Sequence, residues 1–588
     1  MQKRSEVDEK YKWDIGLFKD KKDVENVFED ITFLTEELPK YYGKLTDKER
    51  FFEFMLSHKD KELNIEKLLY YVYNTLQTDS ADVEMLKLSS RLDVALAKLN
   101  QAEAPLKAQI EDLDEAYLKS LLMDPRSKDI NNAIEDVIKN KPHKLDEKST
   151  ILLSKIDNAL VDTHNIYEIF TTSELQFEDV KDSLGNTHKF DEASYSKFLF
   201  SKDDALRKNA YLTLLNGYSK FNKTLAELYL QDVKALNDFV KLKNYKSALE
   251  NALFEEDVPA SVFENNLKCV KSNTNLMQEY IKIYAKHKNF KDIAIYDLSV
   301  DDSNFGEISI EQGQKIMLDA LAPLGQDYIN KVKYKLSDKS IDYMPNQNKN
   351  SGAYNIHCYG AKSLILTNWT NNFYSVSTLA HEMGHCINAE YFCEAQPMEK
   401  ADVTTFSAEI ASTLNELLLT EYMLKNSNKQ EKIAHLQKFF HSVRSTIFRQ
   451  TMFSEFELFV HSSIEQEKPL TYQDLNEKYM EIVKDYFGTS CVIPESTQYE
   501  WSRIPHFYRH YYVYSYSTGL IAAIALVTRI LKDKNYVNNY IKFLKNGTDK
   551  KAVDILKEIG VDLTTTTPFE EAFAYIKEKL EEYRELTK

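Results

Sequence analysis

His381, Glu382 and His385 form a His-Glu-x-x-His pattern, whose residue types and spacing can hold a metal ion. Residues four apart lie on one face of a helix, so both imidazoles can bind a single ion. Two imidazoles suit zinc and leave positions for a third protein ligand and a water molecule. Glu382 lies about 100° round the helix from His381, beside the ion, where its carboxylate can take a proton from zinc-bound water. The pattern therefore predicts hydrolysis by a metal-activated water.

The pattern requires a third ligand, and residue spacing alone leaves the choice open. The metzincin class needs a glycine and a final histidine at fixed offsets. The chain has Asn388 and Tyr391 there, which excludes that class. Downstream, Glu409, Ser412 and Glu416 form a polar stripe on a predicted helix that is otherwise apolar. Such a stripe faces either solvent or a site, and by itself it favours solvent.

The rest of the chain is predominantly helical by pattern. Only 14 glycines and 12 prolines occur in 588 residues, which favours long helices and few tight turns. Apolar residues recur at helical spacing in several segments, among them 51–56, 68–76 and 88–99. A small strand-and-turn element is predicted within 174–190. We place a boundary between an N-terminal helical region, 1–195, and a catalytic domain, 196–588.

The stretch 337–370 is the one convincing β region in the sequence. Within it, 352–356 and 363–367 are predicted strands, the second rich in residues that suit a buried sheet. Both precede the helix of His381 directly. A strand at that place can pair with an extended peptide substrate, or it can belong to a small structural hairpin, and the sequence does not choose between these roles.

Composition and charge exclude several classes of partner. The net charge of −17 disfavours nucleic acid and anionic membranes. The N-terminus has mixed charge and no apolar core, unlike a signal peptide. The longest apolar run, Gly519–Val527, is followed closely by the charged Arg529 and is too short to span a membrane. Five scattered cysteines are typical of reduced thiols. We therefore predict a soluble cytoplasmic protein without nucleic-acid or membrane partners, and make no prediction of its oligomeric state.

Several motifs together resemble a known family. His-Glu-Met-Gly-His at 381–385 is followed by Ala-Glu-Ile-Ala-Ser-Thr-Leu-Asn-Glu at 408–416. The tyrosine-rich stretch 501–519 and the residues Tyr354 and Leu366-Thr367-Asn368-Trp369 add to the likeness. The combination resembles oligoendopeptidase F, in the thimet-oligopeptidase family of zinc peptidases, over roughly residues 110 to 580.

The resemblance implies a metal site and a fold. Glu409 becomes the third zinc ligand beside His381 and His385, with one Zn²⁺ per chain. The implied fold is mostly α, a large helical two-lobed body around a deep substrate channel, with a small β region next to the zinc helix. Such a channel admits short unfolded oligopeptides as substrates and excludes folded proteins.

The resemblance also implies residues that act on the substrate. Tyr514, Tyr511 and His506 are the implied donors to the oxyanion of the tetrahedral intermediate, and Tyr354 and Gly352 belong to the substrate-binding side. Tyr511 and Tyr514 lie three apart, so we expect them to share a helical face. Without the resemblance, a packed aromatic helix would be the preferred interpretation.

Three hypotheses from different classes remain. The first is a cytoplasmic zinc endopeptidase for oligopeptides. The second is a catalytically silent peptide-binding protein, which the intact Glu382 disfavours because such a protein needs no general base. The third is a structural zinc site closed by a fourth ligand such as Cys386 or Cys393, for which a packing role is favoured.

Overall fold

The computed structural model describes residues 2–156, 161–300 and 305–588. Helices dominate it and strands are few and short, which confirms the predicted mostly α class. The chain forms two compact units, each built from separate stretches. Unit 1 consists of Met1–Lys144, Gly306–Val403 and Asp533–Lys551, and unit 2 of Leu145–Phe305, Thr404–Lys532 and Ala552–Lys588. The division into 1–195 and 196–588 stays a prediction.

The helices and strands alternate between the two units along the chain. Unit 1 begins with α1 (Lys21–Glu37), α2 (Lys48–Leu56), α3 (Lys59–Thr78), α4 (Val83–Asp112), α5 (Glu115–Leu122) and α6 (Asn131–Asn140). Unit 2 begins with α7 (Glu147–Ile156), α8 (Thr163–Ile169), β1 (Val180–Lys181), β2 (Thr187–His188), α9 (Glu192–Leu199), α10 (Asp204–Ser219), α11 (Asn222–Leu242), α12 (Ala248–Glu255), α13 (Ala260–Ser272) and α14 (Thr274–His287).

Both units then resume in turn. Unit 1 continues with α15 (Ile310–Leu321), α16 (Gly325–Ser337), β3 (Ile341–Asp342), β4 (Tyr354–Ile356), β5 (Leu364–Leu366) and α17 (Phe373–Ala395). Unit 2 continues with α18 (Ala408–Asn426), α19 (Lys429–Ser442), α20 (Arg449–Glu465), α21 (Tyr472–Phe487) and α22 (Tyr514–Lys532). The remaining helices are α23 (Val537–Leu544) in unit 1, with α24 (Ala552–Glu558) and α25 (Thr567–Leu586) in unit 2.

The first helices of unit 1 follow the sequence pattern closely. The periodic segments at 51–56, 68–76 and 88–99 lie in α2, α3 and α4, as predicted. Aspartates fix where helices begin, because their carboxylates accept hydrogen bonds from N–H groups of the first turn. Those caps are Asp20, Asp47, Asp82 and Asp114. The apolar faces meet in one core that includes Ile31, Phe51, Leu68 and Leu92.

The predicted β region forms a three-stranded sheet in the order β3-β5-β4. The central strand β5 is fully buried and runs parallel to β3 and antiparallel to β4. The strands predicted at 352–356 and 363–367 are confirmed as β4 and β5, each shorter than predicted. β4 lies at an edge of the sheet, and both β4 and β5 pack against α17.

Helix α17 is buried on nearly all sides within unit 1. Asn372 caps it, its Oδ1 accepting a hydrogen bond from the Ser375 N–H at 3.1 Å. Gly313 on α15 lets the ring of Trp369 approach closely, since a Cβ there would lie 2.4 Å from the ring and 3.1 Å from Val376 on α17. Helices α15, α16 and α23 all contact α17, which therefore has a fixed position in the unit.

In unit 2, α22 packs against α18 and α25 as a core helix. It is long and apolar enough to cross a membrane by length and composition, but 72% of its apolar window is buried inside the protein. Buried core helices commonly pass this test, and the predicted lack of a membrane partner stays a prediction. The predicted element within 174–190 is confirmed as the antiparallel pair β1 and β2.

Candidate active site

The two histidines of the His-Glu-x-x-His pattern lie side by side on α17. Their ring centroids are 5.0 Å apart and the ring planes are inclined by 79°. Both side chains are half-buried on a helix whose other residues are mostly fully buried. The residues thus fit a metal ion, because two imidazoles share one accessible face and can offer nitrogens to the same ion.

Glu382 follows the first histidine and is buried, with 7% of its surface exposed. The surrounding cysteines behave as packing residues. Burial raises the pKa of Cys386 to about 12 and that of Cys393 to about 12, so both are protonated thiols at neutral pH. Cys386 is fully buried and its Sγ lies 3.8 Å from the Ser363 carbonyl oxygen, as expected of a packing residue, and its exclusion as a zinc ligand stays a prediction.

Glu409, the third ligand implied by resemblance, is the second residue of α18 in unit 2. Its carboxylate Oε2 accepts a hydrogen bond from Ser412 Oγ at 2.9 Å, and the same hydroxyl lies 2.9 Å from the Glu409 carbonyl oxygen. Ser412 is buried, so the polar stripe predicted on this helix does not simply face solvent. Ser412 orients the carboxylate, while the role of Glu409 as a ligand stays a prediction.

The expectation that Tyr511 and Tyr514 share a helical face is wrong. Helix α22 begins at Tyr514, and Tyr511 lies before it with a left-handed backbone, φ 56°. A bulky residue pays a steric cost in this region. The Tyr511 N–H donates a 2.6 Å hydrogen bond to Glu457 Oε1 on α20, which stabilises the turn.

The two tyrosines are nevertheless brought together by packing. Both rings meet Phe263 edge-on, at centroid distances of 5.9 Å for Tyr511 and 5.4 Å for Tyr514. Both line a cavity of about 310 Å³ in unit 2, together with Arg509 and Glu256. Burial holds the pKa of each phenol above its usual value, with a smaller contribution from a nearby carboxylate. The hydroxyls therefore stay protonated and can donate.

His506 lies in a single helical turn before this segment, Pro505–Tyr508. Its Nδ1 contacts the hydroxyl of Tyr512. Burial, and then the charges of Arg449 and Arg509, lower the pKa of His506, which favours a neutral ring. Tyr512 was not among the predicted site residues, and no sequence spacing distinguishes it from its neighbouring tyrosines.

Tyr354 and Gly352, the expected substrate-side residues, lie at β4 and just before it. The Tyr354 hydroxyl donates to Asn74 Oδ1 at 3.0 Å. The Gly352 N–H donates to Asn350 Oδ1 at 2.8 Å, and its carbonyl accepts from Asn368 Nδ2 at 2.8 Å. These bonds fix the approach to β4, and the substrate-binding role of both residues stays a prediction.

Comparisons with known proteins identify the family. The model of peptidase family M3 matches residues 198–575, and the model of oligopeptidase F matches residues 110–177. Oligopeptidase PepF of Bacillus subtilis is 34% identical over 591 residues, covering 99% of this chain and 88% of the relative. The oligoendopeptidase F homolog of Borreliella burgdorferi is 30% identical and covers 99% of each chain.

Solved structures agree with the sequence comparisons. A crystal structure from Chlamydophila abortus, 30% identical, has a TM-score of 0.93 with all of both chains covered. Oligoendopeptidase-F from Enterococcus faecium, 26% identical, has a TM-score of 0.72 and covers 96% of this chain and 99% of its own. The resemblance noted in the sequence is thereby confirmed. The chain belongs to peptidase family M3 and is a metalloendopeptidase.

Proposed function

We propose that this metalloendopeptidase is a zinc enzyme that cuts short unfolded oligopeptides, with Glu382 as its general base. The observation that carries the proposal is the half-buried pair of imidazoles, His381 and His385, with a buried carboxylate beside it on one fixed helix. The oligopeptide substrate class is supported by the names of the relatives.

His381, His385 and Glu409 would hold the ion in this proposal. Two imidazoles and a carboxylate are a ligand set found in catalytic zinc sites, which keep a position open for water or substrate. When bound, zinc supplies a Lewis acid that polarises the scissile carbonyl and lowers the pKa of a water ligand toward about 7. Ser412 supports the set by orienting the Glu409 carboxylate through its hydrogen bond.

Glu382 moves the proton in this proposal. A carboxylate beside the attacking water takes its proton as the water adds to the peptide carbonyl, and the resulting acid delivers that proton to the leaving amine. The position of Glu382 supports this role, because its buried side chain follows the first proposed zinc ligand directly on α17.

Tyr514 is our first choice for the donor to the oxyanion. Its phenol is kept protonated by burial, and it lies at the first residue of α22, where the backbone is regular. Tyr511 and His506 are the alternatives, although His506 already shares its Nδ1 with Tyr512. A single donor of this kind contributes about 3 kcal/mol to transition-state stabilisation.

Tyr354 and Gly352 belong to the peptide-binding side in this proposal. β4 is an edge strand whose partner within the sheet is β5, and an extended peptide can add to such an edge through main-chain hydrogen bonds. The bonds of Gly352 to Asn350 and Asn368 support the role by fixing the chain that leads into the edge strand.

Cleavage of an internally quenched fluorescent peptide tests the proposal. We expect wild-type protein to cut short peptides, to lose activity with a chelator and to regain it with zinc, while denatured casein is cut poorly. Glu382→Gln should bind the same peptide without cutting it. If the zinc-loaded wild-type protein binds the peptide without cutting it, the proposed peptidase activity is contradicted. That result would favour a catalytically silent peptide-binding protein. Full activity after verified metal removal would reject the metal's role.

A further inference from the structure

A second cluster of histidine and carboxylate side chains lies in unit 2. Glu457 and His461 are four residues apart on α20, and His510 comes from the turn before α22. Metal-binding atoms of the three side chains lie within 4.8 Å of one another. Glu457 and His461 are almost completely buried and His510 is half-buried. Imidazole and carboxylate groups are rarely gathered inside a protein without a shared partner.

The two imidazoles have the separation that a tetrahedral ion requires. His461 Nε2 lies 3.2 Å from His510 Nδ1, and the ring planes are inclined by 84°. Nitrogens bound to zinc at 2.0–2.1 Å in tetrahedral geometry lie about 3.3 Å apart. The same distance suits a hydrogen bond between one protonated and one unprotonated ring, so the distance alone does not decide between them.

The outer contact of His510 is typical of a metal ligand. His510 Nε2 lies 2.9 Å from Asp232 Oδ2 on α11. A ligating histidine typically donates its second N–H to a carboxylate, which fixes the tautomer and makes the other nitrogen a stronger donor. His461 Nδ1 lies 3.5 Å from Asn237 Nδ2, which also donates a hydrogen bond to the Val233 carbonyl oxygen at 3.0 Å. Asn237 thus closes the side of the His461 ring that faces away from His510.

Two buried phenols provide an independent indication of a missing ligand. Among the described residues, the hydroxyls of Tyr511 and Tyr229 have no hydrogen-bond partner, and both side chains are almost fully buried. The Tyr511 ring lies 4.8 Å from the His461 ring, and Glu457 is among the groups that raise the pKa of both phenols. A buried hydroxyl without a hydrogen-bond partner destabilises the folded state. An ion with a coordinated water would supply the missing acceptors.

We propose that Glu457, His461 and His510 bind a second divalent transition-metal ion, with zinc the best match to the ligand types. Asp232 orients His510 from outside the ligand set. The ion ties α20 and α11 to the left-handed turn at Tyr511 and so stabilises the segment that leads into α22. This role is structural, because two of the three ligands are almost completely buried, and it does not depend on the proposed peptidase mechanism.

Metal counting on a protein without the first site tests the proposal. His381→Ala combined with His385→Ala removes the motif on α17. After saturation with zinc and removal of excess, we expect this folded variant to retain about one equivalent by atomic emission. Cobalt(II) in its place should give the visible absorption of a tetrahedral site. Adding His461→Gln and His510→Gln should abolish both signals.

Graded and control variants separate the site from general damage. Asp232→Asn should weaken zinc binding 10–100-fold while the fold, followed by circular dichroism, is kept. His435→Gln alters another buried histidine of unit 2 outside the cluster, and this variant should still bind the one equivalent of zinc. A folded variant lacking His381 and His385 that retains no zinc would reject the second site. That result would leave the proposed peptidase intact, since loss of the first metal is what the proposal predicts for these substitutions.

Discussion

The two clusters of histidine and glutamate differ in how the chain assembles them. His381, Glu382 and His385 lie on one turn of α17, and the imidazoles are half-buried. Glu457 and His461 lie on α20, but His510 reaches them from an irregular segment 49 residues further along the chain, and the α20 residues are fully enclosed. Ligands that remain accessible can exchange water and substrate, whereas enclosed ligands can only hold an ion in place.

The difference teaches that residue type does not separate a reactive site from a structural one. Both clusters offer two imidazoles and carboxylates. What distinguishes them is exposure, because both imidazoles of the first cluster are half-buried whereas Glu457 and His461 of the second are almost completely buried. We therefore expect substitutions in the α17 cluster to change the chemical step and substitutions in the α20 cluster to change stability. The following predictions are ordered from the largest expected effect to the smallest.

The largest effect is expected from removing a ligand of the first cluster. His381→Ala or Glu409→Ala should lower turnover about 10⁴-fold or more, because metal and water activation are lost together. Peptide cleavage should be lost together with one zinc equivalent, while the zinc proposed at the second cluster is retained. His435→Gln serves as the control and should change neither. Full zinc content in an inactive His381→Ala protein would remove this residue from the ligand set.

Glu382→Gln separates the general base from the ligands. The amide cannot accept a proton, so we expect turnover to fall about 10²–10⁴-fold while zinc and the thermal midpoint are kept. The ratio of bound zinc to protein and kcat for a short peptide are measured on the same sample. Near wild-type kcat would show that the reactive cluster works without this carboxylate.

Tyr514→Phe tests whether the tyrosine segment contributes to chemistry or to packing. Phenylalanine keeps the ring against Phe263 and removes the hydroxyl alone. We expect kcat to fall because the activation barrier rises by about 2–4 kcal/mol, as for the loss of one oxyanion donor. KM should change little. Tyr511→Phe is the matched variant, because its hydroxyl lies by the second cluster. It should mainly alter stability and zinc content, and equal losses of kcat in both variants would erase the distinction.

The smallest effect concerns the support of α17. Gly313→Ala places a Cβ 2.4 Å from the Trp369 ring, so we expect unit 1 to lose about 1–3 kcal/mol of stability by overpacking. Gly519→Ala in α22 is the matched control, since a Cβ there meets no atom within 4 Å among the described residues. It should be neutral or slightly stabilising, because alanine favours helix. Thermal unfolding compares the pair, and equal midpoints would contradict close packing at Gly313.

The sequence predicted what depends on local spacing. The shared face of His381 and His385 follows from helical periodicity, and β5 follows from a short apolar run that suits a buried strand. The turn at Tyr511 could not be predicted in this way. Its left-handed backbone is stabilised by Glu457, which lies 54 residues earlier on another helix, so three-residue spacing gave the wrong face.

The second cluster shows the same limit more strongly. Glu457 and His461 have the i, i+4 spacing of a helical pair, which was a signal present in the sequence. Nothing near them indicates His510 or Asp232, which come from the segment before α22 and from α11. Contacts between distant segments are decided by the packing of whole helices, and the local spacing of residues in one sequence does not show them.

The interleaving of the two units has a consequence for synthesis. Helices α1 to α6 can pack as they emerge, because their core lies within residues 27–134. Helix α17 packs against α23, and α18 packs against α22, which in turn packs against α25. The packing of α17 and α18 is therefore incomplete until these later helices have been synthesised. At the usual translation speed, the 149 residues between the ends of α17 and α23 take about 7–30 s. A nascent chain therefore exposes apolar helix faces for seconds, and during that time it is prone to aggregate.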